Sequence, residues 1–109
     1  MSRILSSLTM LASIAATSGN ALAAGDADAG KTKSTACGAC HGAHGLSTND
    51  AWPSLAGQKS TYLVLQLKAF RDGTRKDPVM APLATPLSDA DIDNLAAYFS
   101  TQTASPSVY

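Results

Sequence analysis

The chain has 109 residues, with 8 basic and 8 acidic side chains, two cysteines and 45% hydrophobic residues. This length allows one small domain. The balanced charge provides no basic surface of the kind that binds nucleic acid, so we expect no nucleic-acid partner. Only 6% of the residues are aromatic, and a domain with so thin a core needs an additional cross-link or bound group to be stable.

The N-terminal segment has the pattern of an export signal. A single positive charge, Arg3, precedes an apolar stretch that is shorter than the roughly 20 residues of a bilayer span. The small residues around Ala23 fit a signal-peptidase site, which predicts cleavage after Ala23, with Ala24 as the alternative. We therefore expect a signal peptide at 1–23, a mature domain at 24–109, a periplasmic location and no stable membrane insertion after cleavage.

Helical periodicity dominates the first half of the mature domain. The sequence predicts a first helix over 25–39, in which the small residue Gly30 indicates close packing against another helix. A loop rich in Gly, Ser, Asn and Pro is predicted over 42–58. A more apolar helix follows over 60–72 and ends at Gly73, a residue suited to a left-handed C-terminal cap.

The second half is predicted to contain one proline-rich loop and one helix. Prolines at four-residue spacing predict an extended loop over 74–87. Ser88 is predicted to cap a final helix, whose apolar stripe consists of Ile92, Leu95, Ala96 and Phe99. No segment alternates with period two, so the predicted class is all-α, with three main helices and long loops.

Cys37, Cys40 and His41 form the pattern C-x-x-C-H, which is typical of covalent attachment of a c-type haem. Two thiols at this spacing can each add to one of the two vinyl groups of a single porphyrin, and the adjacent imidazole then lies at the iron. The haem would also supply the apolar bulk that the thin core lacks.

Three other interpretations of this motif are open. A thioredoxin-like redox pair needs a preceding strand in a βαβ context, and neither is predicted here. A zinc site could use Cys37, Cys40, His41 and His44, although two adjacent ligands would be strained and a second ligand pair is missing. A structural disulfide explains the cysteines but not His41.

Met80 and His44 are the main candidates for a second axial ligand of the iron, and the lysines are a weaker third alternative. His44 lies too near His41 in sequence to reach the opposite face of a haem. Met80 lies between Pro78 and Pro82, which would stiffen the loop that presents its sulfur. Ordinary core packing is the alternative role for Met80.

Between residues 25 and 101 the sequence resembles the class I c-type cytochromes, above all the short bacterial monohaem kinds and single domains of the cytochrome c4 and c-553 type. The motifs that carry the resemblance are Cys37–Gly42, Trp52–Gln58, Tyr62-Leu63, Gln66-Leu67, Phe70–Gly73, Met80, Leu87–Ile92 and Leu95–Phe99. The resemblance implies a small cytochrome c fold wrapped around one covalently bound haem c.

The resemblance also implies roles for individual residues. Cys37 and Cys40 would form the two thioethers, His41 would be the proximal ligand and Met80 the distal one. The carbonyl of Pro53 would accept a hydrogen bond from the proximal imidazole. The sequence departs from the family pattern in two places. The first helix has no aromatic residue, and His44 stands where an acidic or small residue is more usual.

The remaining haem contacts are expected from side-chain chemistry. Trp52 is the candidate for a polar contact with a haem propionate. The candidates for the pocket wall are Trp52, Leu63, Leu67, Phe70 and Leu83.

A haem with both axial positions filled has no vacant site for oxygen or peroxide, so we expect a carrier of single electrons and not an enzyme. It would shuttle electrons between respiratory or dehydrogenase partners, as a monomer that docks briefly through a small interface. The alternative is a haem c subunit permanently associated with an oxidase, a dehydrogenase or a sulfur-oxidising enzyme. A gas-sensing or peroxidatic protein would require the Met80 bond to be labile.

Basic side chains precede the Met80 segment and could steer an acidic partner. They are Lys68, Arg71, Arg75 and Lys76. Asp72 and Asp77 dilute this cluster, so we expect electron transfer to depend only modestly on salt.

Overall fold

The computed structural model describes residues 25–104, and all regular secondary structure in that range is helical. Its elements in chain order are α1 (Ala27–Lys33), α2 (Thr35–His41), a 3₁₀ helix (Ala43–Gly45), α3 (Ser60–Asp72), α4 (Met80–Ala84) and α5 (Asp89–Thr101). The all-α prediction is confirmed. The predicted signal peptide at 1–23 lies outside the described residues, and cleavage after Ala23 stays a prediction.

The first predicted helix is divided into α1 and α2 at Ser34, so the prediction of one continuous helix was wrong. Ser34 lies at φ −71° and ψ −7°, and its hydroxyl donates to the carbonyl of Lys31 at 2.7 Å. Such a local side-chain bond competes with regular helical hydrogen bonding. The backbone nevertheless bonds across the break, since the N–H of Gly38 donates to the carbonyl of Ser34 at 3.0 Å. No loop therefore separates α1 from α2.

α1 packs closely against α5 at Gly30, as the small residues of α1 predicted. A Cβ added at Gly30 would lie 1.9 Å from the carbonyl oxygen of Asn94 and 2.8 Å from Cβ of Tyr98. The backbone N–H of Asp26 also donates to Oδ1 of Asn94 at 2.8 Å. The N-terminal end of the described chain is thus joined to its last helix.

α5 forms the centre of the core. Ser88 and Asp91 make the capping box that starts it, because the side chain of each accepts a hydrogen bond from the backbone N–H of the other. Ile92 and Leu95 are the largest fully buried side chains. α3 packs across α5 and ends at Gly73, which has the predicted left-handed conformation with φ +82°. The buried residues of this cluster are Leu63, Leu95, Ala96, Tyr98 and Phe99.

The proline-rich segment is not a continuous loop, because it contains the short helix α4. Pro82 is the third residue of α4. The first four N–H groups of a helix have no partner within it, so a proline there removes no helical hydrogen bond. Ala84 is completely buried and α4 packs against α3. Between residues 25 and 104, no helix is long and apolar enough to cross a membrane.

Candidate cofactor site

The last turn of α2 carries Cys37, Cys40 and His41. Cys37 and His41 are four residues apart and so lie on one face of the helix. His41 is buried, and the two cysteines are half-buried and not joined by a disulfide. The chain turns away immediately at Gly42, where φ is +82° and a Cβ would lie 1.9 Å from the carbonyl oxygen of Leu46. Only glycine fits this turn.

A hydrogen bond fixes the orientation of the His41 ring. Its Nδ1 lies 2.7 Å from the carbonyl oxygen of Pro53. A carbonyl can only accept, so Nδ1 carries a proton, and in the neutral ring the free lone pair is then on Nε2. This is the arrangement by which metal-binding histidines are held. The contact with Pro53 that the resemblance implies is therefore present.

One cavity of about 750 Å³ adjoins the cysteines and the imidazole. Its volume falls within the range of about 300–1,000 Å³ that is usual for cofactor and ligand sites. The wall includes every side chain expected from the sequence, namely Trp52, Leu63, Leu67, Phe70 and Leu83. Trp52 is 40% exposed and stands at the surface. α5 also contributes, through Leu95, Ala96 and Phe99.

Met80 lines the same cavity as His41, although 39 residues separate them in sequence. It is half-buried and is the first residue of α4. His44 does not line the cavity. It is exposed, has φ +56°, and places Nδ1 3.2 Å from the hydroxyl of Tyr98 on α5. The structure thus brings Met80, and not His44, to the site of the cysteines.

Polar groups enter the cavity wall near Met80. The guanidinium of Arg75 lies 4.4 Å from the centre of the Phe70 ring and donates to Oε1 of Gln66 at 2.7 Å. Asp77 accepts hydrogen bonds from the backbone N–H groups of Met80 and Val79, and these bonds lower the pKa of its carboxyl group. The rest of the wall is mainly apolar, which suits a large, flat and mostly hydrophobic group.

The thiol chemistry of Cys37 argues against a redox-active pair. Burial raises the pKa of the Cys37 thiol, whereas reactive cysteines have a lowered pKa because the thiolate is the nucleophile. The strand that a thioredoxin-like motif requires is absent from residues 25–104. In the same range, no group of three or more His, Cys, Asp or Glu side chains is placed to hold a metal ion.

The comparisons with known proteins agree with this geometry. The cytochrome c family model matches residues 27–103. Cytochrome c4 of Pseudomonas aeruginosa is 45% identical over 102 residues, which are 94% of this chain and 49% of that protein. Cytochrome c-554(548) of Halomonas halodenitrificans is 49% identical over 82 residues, which are 72% of this chain and 99% of that protein. The crystal structure of reduced recombinant cytochrome c4 from Pseudomonas stutzeri superposes with a TM-score of 0.72 at 44% identity, covering 75% of this chain and 48% of that one.

The chain belongs to the cytochrome c family, and its fold is that of a small class I c-type cytochrome domain. It spans about half the length of the cytochrome c4 relatives. The cofactor of this family is covalently bound haem c, and the apolar cavity beside Cys37, Cys40 and His41 fits it. Membership of this family supports a role in electron transport.

All site residues named from the sequence line this cavity, namely Cys37, Cys40, His41, Trp52, Pro53 and Met80. The contacts around Met80 were missed. Asp77 was interpreted only as a charge that dilutes a basic cluster, whereas its carboxylate bonds to the start of α4. The signal was present, because Asp followed by Pro is the pattern of a helix N-terminus. The contact between Arg75 and Gln66 had no comparable signal in the sequence.

Proposed function

We propose that this chain is an exported, periplasmic carrier of single electrons in which His41 and Met80 would be the two protein ligands of the haem iron. The observation that carries this proposal is the shared cavity, which collects Cys37, Cys40 and His41 from α2 and Met80 from α4. When bound, haem c supplies reversible one-electron oxidation and reduction. Its donor and acceptor would be proteins that dock briefly, and the carrier itself would be a monomer.

Each residue has a defined role in this proposal. Cys37 and Cys40 form the two thioethers. His41 presents Nε2, because Nδ1 is held by the Pro53 carbonyl at 2.7 Å. Met80 presents its thioether, and a His/Met ligand pair raises the reduction potential relative to other ligand sets. The two ligands together leave no open position for oxygen or peroxide.

The cavity wall and the rim have separate roles. The apolar wall excludes water and so disfavours the more highly charged oxidised state. Trp52, which is partly exposed at the mouth, would direct its indole N–H toward a propionate.

The ion pairs of the basic cluster support a modest dependence of electron transfer on salt. Arg71 is bonded to Asp89 at 2.7 Å and to Asp72 at 3.1 Å. Arg75 is held over Phe70. Paired charges steer a partner less strongly than unpaired ones, so the rate should fall only gently with ionic strength. A steep fall of the electron-transfer rate with ionic strength would contradict this expectation.

The visible spectrum of the purified holoprotein tests the proposal. The haem should stay with the protein after acid–acetone extraction, and the oxidised form should show the weak sulfur-to-iron band at the red edge of the visible range. The reduced wild type should not bind carbon monoxide. Met80→Ala should abolish the band and admit carbon monoxide, while the matched variant His44→Ala should leave both unchanged.

Three outcomes would contradict the proposal. Extractable haem would remove the thioether assignment for Cys37 and Cys40. Wild-type protein that binds carbon monoxide would favour a sensor or a peroxidatic function. Co-purification with an oxidase, a dehydrogenase or a sulfur-oxidising enzyme would replace the free shuttle by an enzyme-bound haem subunit. N-terminal sequencing of the exported protein tests cleavage after Ala23.

A further inference from the structure

Asp77 makes an unusual set of bonds to the beginning of the Met80 segment. Its Oδ1 accepts from the N–H of Val79 at 2.9 Å and from the N–H of Met80 at 2.8 Å. Its main-chain carbonyl accepts from the N–H of Ala81 at 3.0 Å. Pro78 has no N–H to satisfy. One residue therefore supplies the acceptor for three consecutive N–H groups that precede or begin α4.

These bonds matter because little else fixes the N-terminal end of α4. The helix has only 5 residues, and helices of this length do not persist on their own. The C-terminal end is anchored by Ala84, which is completely buried. At the other end, Val79, which directly precedes the helix, is 53% exposed. Segments with few buried contacts open locally at low free energy, so the cap on Met80 controls that opening.

The cap has a direct geometric consequence for Met80. Val79 has the right-handed helical conformation, with φ −95° and ψ −50°. The carboxylate is bonded to the Val79 and Met80 N–H groups, so it holds the two peptide groups on either side of the Val79 α-carbon. Fixing the main chain of Met80 also fixes the point from which its thioether extends into the cavity.

We propose that Asp77 is a positioning residue for the distal ligand, and that its hydrogen bonds to the Val79 and Met80 main chain keep the Met80 sulfur on the iron. The inference rests on the proposed function, in which Met80 is that ligand. It assigns to Asp77 no contact with the haem. The acceptor position, and not the negative charge, is the property that matters.

Three substitutions separate the cap from the charge. Asp77→Asn keeps an oxygen acceptor at the same position and removes the charge, whereas Asp77→Glu keeps the charge and displaces the acceptor. Asp77→Ala removes both. Asp72→Ala is the matched control, because it removes an exposed carboxylate whose only ion pair in the described part of the chain is with Arg71.

The measurements are the sulfur-to-iron band of the oxidised holoprotein, carbon monoxide binding by the reduced holoprotein, and far-ultraviolet circular dichroism to verify folding. In Asp77→Ala and Asp77→Glu, the equilibrium between bound and detached Met80 should shift toward the detached form by about fivefold, the typical effect of losing a side-chain cap. Asp77→Asn and Asp72→Ala should behave as wild type. If Asp77→Ala does not fold, Asp77→Glu alone tests the positioning role, because it also displaces the acceptor.

The outcomes distinguish this inference from the function on which it rests. A full band with no carbon monoxide binding in both Asp77→Ala and Asp77→Glu would overturn the positioning role alone. Equal loss in Asp77→Asn and Asp77→Ala would also overturn it, since charge would then be the cause. A wild-type protein that lacks the band would refute Met80 ligation itself.

Discussion

The contact between α1 and α5 at Gly30 gives the sharpest test of the fold. In Gly30→Ala, the new Cβ would lie 1.9 Å from the Asn94 carbonyl oxygen, where ordinary contact begins at 3.4 Å. The obstacle is backbone and cannot rotate away, so the two helices must separate. Gly38 provides a matched control, because it also lies within a helix and a Cβ added there would have no protein atom within 4 Å.

The magnitude follows from the difference between the two sites. Overpacking costs about 1–3 kcal/mol, and a backbone clash of this depth belongs at the upper end. Replacing Gly by Ala inside a helix contributes about 1 kcal/mol of stability at either position. Gly30→Ala should therefore lower the free energy of unfolding by about 2 kcal/mol, while Gly38→Ala should raise it by up to about 1 kcal/mol.

The assay is thermal unfolding of the holoprotein followed by far-ultraviolet circular dichroism. At about 4–8 °C per kcal/mol for a domain of this size, Gly30→Ala should lower Tm by about 8–16 °C, and Gly38→Ala should not lower it. A Tm for Gly30→Ala equal to that of the wild type would refute the reasoning. It would mean that α1 and α5 can separate at no cost, which the lack of an aromatic residue in α1 would permit.

Three further predictions concern α5. Ser88→Ala removes the side-chain acceptor of the capping box and should cost about 1 kcal/mol in urea unfolding. Ile92→Val should cost about 1 kcal/mol and leave the visible spectrum unchanged, because Ile92 is completely buried but does not line the cavity. The backbone N–H of Ser88 lowers the pKa of Asp91. A lowered folded-state pKa gives stability that is complete above the ordinary carboxyl range and is lost as the pH falls through the folded pKa. The urea concentration at the unfolding midpoint should therefore decrease when the pH is lowered below about 4, and Asp91→Asn should weaken this dependence on pH.

Each of these has a result that contradicts it. For Ser88→Ala, an unchanged urea midpoint would show that the hydroxyl does not stabilise the start of α5. A spectral shift in Ile92→Val would place Ile92 against the haem and not behind it. An acid dependence of the same slope in Asp91→Asn and in wild type would assign the titration to other carboxylates.

The sequence by itself determined the haem-attachment motif, the helical class and several local signals. C-x-x-C-H, the helix cap at Ser88 and the left-handed cap at Gly73 depend on residues that are neighbours in the chain, so local chemistry fixes them. The close packing at Gly30 was also predictable, because a glycine within a helix lowers its stability unless another backbone lies close to it.

Only the tertiary structure decided how the separate segments meet at the cavity. The break at Ser34 was missed, since the sequence does not show that the Ser34 hydroxyl bonds to the Lys31 carbonyl. The helix at Met80 was missed because the three prolines were interpreted as excluding a helix, whereas Pro82 lies in the first turn of α4. The Pro53 carbonyl reaches His41 because the loop folds back, which no spacing rule dictates. Asp77-Pro78 matches the pattern of a helix start, but only the folded chain shows that the Asp77 carboxylate is directed toward the Met80 main chain.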